Sequence, residues 1–219
     1  KDAQDESETR LARTLAHVEL AAQTKDATTS RAHYEAALLD CQRVIDSQPQ
    51  LSTAHFQNGV ILRLLDRYPE AVSAFTEALR LTPESTETRI RRGIVWYHLG
   101  ELDLALSDFR AVGFIPGDAR PAFWTGVIYA RRNDHFEAIR AFSEAIDVNP
   151  RYRLAFSNRA RSLMHLGHWQ RAIDDLNAMI QIDPQDTEAY YRRGIALKQL
   201  GRTAEAQRSF AQAGNRNEG

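Results

Sequence analysis

Five prolines, Pro49, Pro83, Pro116, Pro150 and Pro184, punctuate the chain at intervals of 34, 33, 34 and 34 residues. A fixed period of this length constrains a chain strongly. Each period must be one small structural unit, and successive units must be equivalent. The phrase EAVSAFTEALRLTP at 70–83 returns as EAIRAFSEAIDVNP at 137–150, with seven identical positions. No residue in it suits a nucleophile or a metal ligand, so the repetition reads as packing.

Within each period two helical patterns flank a short turn, and the proline ends the second helix because it has no N–H to continue it. In 52–83, STAHFQNGVILRLL reads as a first helix, DRYP as a turn and EAVSAFTEALRL as a second helix. Ala71, Phe75, Ala78 and Leu79 fall on one apolar stripe, and Pro69 sits where the second helix begins, its missing N–H costing nothing there. The slots recur in register. A first-helix slot holds Gly59, Gly93, Gly126, Ala160 and Gly194. A second-helix slot holds Ala37, Ala71, Ala105, Ala138, Ala172 and Ala206, and four residues on stand Cys41, Phe75, Phe109, Phe142, Leu176 and Phe210. A turn glycine appears at Gly100, Gly167 and Gly201.

These slots, six registers in phase over nearly the whole chain, resemble the tetratricopeptide repeat family. The resemblance implies an all-α fold, a right-handed superhelical solenoid of helix–turn–helix repeats. Repeats are read at 7–51, 52–85, 86–118, 119–152, 153–186 and 187–214, as one solenoid domain between a polar linker end (1–6) and a polar tail (215–219). The third repeat is one residue short, which accounts for the 67-residue spacing of the duplicated phrase, and Gly113 and Gly117 flank the deletion. A kink or an early helix end is expected near Gly113. The first repeat departs most: LARTLAHVELAA is amphipathic, but no glycine occupies its slot and the turn QTKDATTS looks expanded.

The chain's 28 basic and 29 acidic residues give a net charge of −1, so bulk electrostatics offers no reason to expect nucleic acid or an anionic membrane. No apolar run reaches the ~18 residues a membrane-spanning helix needs. One cysteine excludes an internal disulfide. The chain opens on Lys1 without a signal-peptide pattern and is read as a processed or excised piece; a cytoplasmic location is expected.

No catalytic constellation, cofactor motif or phosphate loop is apparent, so no enzyme activity, cofactor or metal is expected. His165 and His168 form an H-x-x-H across a predicted turn. Cys41 reads as a packing thiol. Asp174, Asp175, Glu137 and Glu144 read as solvated acids on second helices.

In the family that the chain resembles, first helices line a concave groove that binds peptides. Carried over, the inward positions include Phe56 and Gln57 in repeat two, and Arg91, Tyr97 and His98 in repeat three. Phe123, Trp124 and Arg131 follow in repeat four, Asn158, Arg161 and His165 in repeat five, and Tyr191 and Arg192 in repeat six. This set contains arginines and aromatics but no acid, which predicts a basic, aromatic groove for an extended acidic and apolar peptide. The arginines before the glycine slot, Arg92, Arg159 and Arg193, are expected instead to brace neighbouring helices. The carboxylate clamp by which some family members hold chaperone tails is broken: Asn158 and Arg192 match, but Phe123, Val127 and Glu188 do not.

The leading expectation is a non-catalytic scaffold for a protein or peptide partner. The alternatives are a regulatory or docking part of a larger enzyme, and a self-assembling scaffold. The last repeat shows no amphipathic segment beyond it, so a homodimer through that end is a further expectation.

Overall fold

The computed structural model of the chain describes residues 2–214, with side chains from residue 6 onward. The expected tail at 215–219 lies outside the described residues. Among the described residues there are twelve helices: α1 (Asp2–Gln23), α2 (Ala27–Ser47), α3 (Ser52–Leu64), α4 (Tyr68–Leu81), α5 (Thr86–Leu99), α6 (Leu102–Val112), α7 (Arg120–Arg131), α8 (His135–Val148), α9 (Arg153–His165), α10 (Trp169–Ile182), α11 (Thr187–Gln199) and α12 (Thr203–Gly214). Among the described residues there is no strand, only an isolated bridge from Ile115 to Asp118. The helices pair as six hairpins, the solenoid class expected. They form two compact units, α1–α6 (Lys1–Val112) and α7–α12 (Gly113–Gly219).

The period has a steric cause. A Cβ added to Gly59 would lie 2.7 Å from the Phe75 ring; at Gly93 the figure is 2.9 Å from Phe109, and at Gly126 2.6 Å from Phe142. Gly194 and Phe210 repeat the arrangement. Glycine inside a helix costs about 1 kcal/mol relative to alanine. Burying a phenylalanine side chain is worth roughly 1.5–3 kcal/mol, so the pair is favoured over a filled slot with a displaced ring. Repeat five reaches the same end with smaller volumes on the other side: Ala160 faces the slot and Leu176 replaces the ring, both fully buried.

The intra-repeat turn needs one residue in the left-handed region. Gly100, Gly167 and Gly201 supply it, with φ of 84°, 72° and 74°. Asp66 (φ 58°) and Asn133 (φ 63°) occupy the same slot in repeats two and four. These are the non-glycine residue types that tolerate this region most readily.

Second helices end two residues before Pro49, Pro83, Pro150 and Pro184. Helix α6 stops earlier, at Val112, and Gly113 (φ 66°) and Gly117 (φ 80°) carry the chain away, the early end expected of the short repeat.

The first hairpin differs from its reading. Helix α1 begins at Asp2, within the stretch read as linker, and the supposed long turn is helix from Ala27. Thr14, fully buried, stands in the glycine slot, with Oγ1 3.9 Å from the Cys41 Sγ. Arg13 and Asp40 are 27 residues apart, whereas the equivalent pair Arg92 and Asp108 is 16 apart. The surplus is about three helical turns, so both helices lengthen and their inner faces stay in phase.

Candidate functional site

The arginine before the glycine slot belongs to the frame. Arg159 donates from Nε (2.9 Å) and Nη2 (2.6 Å) to Asp175, and from Nη1 to Ser143 Oγ (2.8 Å) on the preceding second helix. Arg92 makes the same three contacts with Asp108 and Thr76. Arg193 reaches Ser209 and Asn177. Each fork ties its own second helix to that of the repeat before, as expected. Asp175 is therefore not a solvated acid: it is 4% exposed, and burial pushes its carboxyl up against the pull of Arg159. Asp174 stays at the surface beside Gln170, and Glu137 and Glu144 hold Arg140.

The positions expected to face a ligand form a row along the first helices. Arg91 stands over the Phe56 ring, 5.6 Å from its centroid, and Arg192 Nη1 lies 3.4 Å from Ser157 Oγ. In both pairs the position three before the slot meets the position two before the slot of the next repeat. In unit 1, Gln57 is half-buried on α3, Tyr97 packs edge-on to His98, and His98 stacks on Tyr68 at 5.1 Å and 3°. In unit 2, His165 stacks on His135 at 4.5 Å and 8°. Asn158 accepts from Arg161 (2.5 Å), Trp124 is half-buried and Arg131 is exposed.

Phe123 is the exception. It is 7% exposed, wedged between Phe142, Trp124 and Tyr152, so it acts as core rather than as an offered ring. Tyr152, at the start of α9, closes over it. Tyr191 holds the same slot in α11 and is 52% exposed, with its ring against Phe210.

Four expected residues converge. Arg161 and His165 of α9 and Tyr191 and Arg192 of α11 line a cavity of about 400 Å³, completed by Met164, Trp169, Glu188 and Ile195. Trp169 was missed by the sequence reading. Its signal was its place in the first turn of a second helix, where Tyr68 and His135 stack on the next first helix. The basic character is also weaker than expected. Arg192 Nε donates to Glu188 (2.5 Å) and Arg91 Nε to Glu87 (2.6 Å), each acid one turn upstream on the same helix. The face is thus aromatic and zwitterionic, with Arg161 bonded to a neutral amide.

Cys41 is fully buried and burial raises its thiol to about 11, so it is held as a packing thiol rather than a nucleophile. Among the described residues no three histidine, cysteine or carboxylate side chains cluster as metal ligands, and no helix is long and apolar enough to cross a membrane.

Tetratricopeptide repeat patterns match residues 10–84, 56–119 with 125–187, and 163–219. The chain belongs to the tetratricopeptide repeat family. Over 77 residues it is 40% identical to small glutamine-rich tetratricopeptide repeat-containing protein 2 of Mycosarcoma maydis, a match covering 35% of this chain and 22% of that protein. Over 170 residues it is 26% identical to the DnaJ homolog subfamily C member 7 homolog of Dictyostelium discoideum, covering 70% and 32%. The chain thus spans about a third or less of these relatives. Among solved structures, YrrB, described as a TPR protein with an unusual peptide-binding site, superposes with a TM-score of 0.67 at 16% identity, covering 81% of this chain and 93% of that one. These repeats mediate protein–protein interaction in the family.

Proposed function

We propose that this protein is a non-catalytic interaction module that holds an extended peptide bearing apolar and acidic residues against its first helices. The observation that carries the reading is the cavity between α9 and α11, where Arg161, His165, Tyr191 and Arg192 meet an apolar floor of Met164, Trp169 and Ile195. An apolar side chain fits among the rings, and a neighbouring carboxylate reaches the Arg161 fork. Peptide binding by the structurally similar YrrB agrees with this use of the fold.

The test is selection from a random dodecapeptide display library, followed by titration of the selected peptides while Trp169 emission is followed. The expected consensus pairs Asp or Glu with Leu, Ile or Phe. Reversing Arg161 and Arg192 to Glu removes binding and leaves helicity intact. A consensus without acids, or a double variant that binds as wild type does, overturns the reading.

The homotypic contact remains a second proposal. Tyr191, Phe210 and Ala213 line an adjoining cavity of about 470 Å³ on the α11–α12 face, which shares Tyr191 and Glu188 with the first. Sedimentation of the wild type beside Ala213→Glu decides it: a monomeric wild type at tens of micromolar removes the contact.

A further inference from the structure

Repeats one to five obey a pairing rule that repeat six breaks. Where arginine precedes the glycine slot, aspartate precedes the large apolar slot: Arg13 with Asp40, Arg92 with Asp108, Arg159 with Asp175. Where the aspartate is absent, at Ala74 and Ala141, so is the arginine. Repeat six keeps Arg193 but has Ser209 in the acid's place. Arg193 is half-buried, and its guanidinium lies over the Tyr190 ring at 5.1 Å. Nε donates to Ser209 Oγ (3.0 Å), Nη1 to Asn177 Oδ1 (2.9 Å) and Nη2 to Gln212 Oε1 (3.2 Å). All three acceptors are neutral. The charge is hydrogen-bonded but not balanced, and among the described residues one N–H on each terminal nitrogen is left over.

These groups line a cavity of about 260 Å³ where α10, α11 and α12 meet. It shares no lining residue with the two cavities beside Tyr191. Arg202 and Arg208 line it too, against a single acid, Glu205. Arg202 holds both Glu205 oxygens, at 2.7 and 2.6 Å, so that pair cancels. Arg208 is exposed and makes no hydrogen bond or ion pair among the described residues. The lining is left with two uncompensated positive charges. Thirty-four residues earlier the places of the three arginines, Glu205 and Ser209 hold Arg159, His168, Asp174, Arg171 and Asp175, two cations against two acids. In repeat three they hold Arg92, Glu101, Ser107, Leu104 and Asp108, one cation against two acids. Of the three, only the repeat-six version is positive. Asn177 and Gln212 give their oxygens to Arg193, which leaves both amide nitrogens as further donors in the lining.

We infer that Arg193 and Arg208 bind the phosphate group of a phosphomonoester in this cavity, in place of the aspartate that repeats three and five carry. Such a group brings nearly two negative charges and three acceptor oxygens, which matches two spare cations and two spare amides. A carboxylate would leave one charge over. Arginine forks also fit phosphate oxygens in pairs. The group is carried on a phosphorylated side chain of a protein or on a small free molecule. Arg193 bonds to α10 and α12, whereas Arg192 lines the α9–α11 cavity, so the inference stands independently of the peptide reading.

Arginine Nε–Hε NMR correlations of the full chain test it at constant ionic strength and about pH 7.5, where a phosphomonoester with its second pKa near 6 is a dianion. The probes are N-acetyl-O-phosphoserine amide, inorganic phosphate, acetate as a single charge and N-acetylserine amide as the neutral control. The expected result is a saturable shift of the Arg193 signal with the phosphates, about tenfold weaker binding of acetate and no response to the amide. Tighter binding of the phosphoserine probe identifies a phosphorylated chain as the source; tighter binding of inorganic phosphate identifies a small free molecule. Ser209→Asp restores the repeat-five pair and abolishes the response. Arg208→Gln, an exposed change outside the frame, weakens binding several-fold. Arg140→Gln removes a surface charge on α8 and leaves the response unchanged. Absence of a saturable shift at Arg193, acetate bound as tightly as phosphate, or undiminished binding by either Ser209→Asp or Arg208→Gln overturns the inference.

Discussion

Repeats two and three in unit 1 and repeats four and five in unit 2 are copies offset by 67 residues, and they differ in a pattern. Frame positions match. Both copies have a left-handed turn residue of the Asp or Asn type followed by a glycine one. Both have a flat ring stack between repeats and an Arg–Asp fork in the second member of the pair. Where the first member lacks the acid, having Ala74 or Ala141 instead, it also lacks the arginine, having Asn58 or Thr125. Positions expected to face a ligand match only in part: Phe56 and Phe123, and His98 and His165, are identical, whereas Arg63 corresponds to Ala130, Arg91 to Asn158, Ile94 to Arg161 and Tyr97 to Met164. The chain therefore repeats its scaffold every two hairpins and varies part of the face that the scaffold presents.

The comparison breaks most visibly in the core. Phe142→Ala in unit 2 is expected to cost about 3–5 kcal/mol. A gentler version separates volume from identity. Gly126→Ala drives a methyl into the Phe142 ring and costs about 1–3 kcal/mol by overpacking. Adding Phe142→Leu recreates the Ala160–Leu176 solution of repeat five and restores most of the loss. Chemical denaturation of the two singles and the double measures the coupling; simple additivity would show that the slots are not a matched pair.

The forks differ in their electrostatics. At Asp40 the hydrogen bond from Arg13 leads, and the carboxyl is held below its ordinary value. At Asp175 burial leads, and the carboxyl is raised. A lowered carboxylate contributes stability above its unfolded pKa of about 3.9 that is lost as pH falls through the folded value. A raised one contributes stability below about 3.9 that is lost as pH rises through the folded value. Asp40→Asn should therefore become more harmful relative to wild type as pH rises through this range, and Asp175→Asn less so. Melting midpoints from pH 2.5 to 6 check this, and parallel slopes would refute it.

Period and hairpins were legible because each rests on a steric pair at constant spacing; of the forks only the arginine side was legible, since Asp175 was read as solvated while it is buried against Arg159. Asp66 and Asn133 were missed in the turn slot because only glycine was sought there. The first hairpin was misread because its insertion adds whole turns, which preserves packing while erasing the spacing. On the candidate face, Phe123 showed the limit. Its slot is buried or exposed according to what the next repeat lays over it, and Tyr152 is not part of the helix that was read. Glu87 and Glu188 were visible as E-x-x-x-R on one helix, yet inward positions were counted without the turn upstream.

Exchanging the faces should cost less stability than the core changes. Asn158→Arg with Arg161→Ile and Met164→Tyr writes the unit 1 row onto unit 2. Arg161 is exposed, where changes usually stay within about 0.5 kcal/mol, and the half-buried Asn158 and Met164 lie at the edge of the core, where a change costs about 1 kcal/mol each. Peptides selected on the wild type should lose at least tenfold in affinity while the melting midpoint falls by less than in Phe142→Ala. A large fall in the midpoint would mean that these positions belong to the frame.

The smallest expected effect lies in the ring stacks, where Tyr68–His98 in unit 1 is replaced by His135–His165 in unit 2. His135 Nδ1 is buried without a hydrogen-bond partner, while its Nε2 lies 3.1 Å from Asn133 Oδ1. Burial, then His165 and Arg161, lower the His135 pKa, and Asp134 only partly opposes them. A histidine with a depressed folded pKa contributes stability above its unfolded value of about 6.5, and that contribution is lost as pH falls through the folded value. His135→Tyr copies the unit 1 stack and removes the titration while keeping a flat ring against His165. Its melting midpoint should match wild type near pH 7.5 and exceed it slightly at pH 5. The converse variant, Tyr68→His, should lose stability in the same acid range. If His135→Tyr shows the same acid slope as wild type, the unit 2 stack is no proton-sensitive version of the unit 1 stack, and the two copies differ there in shape alone.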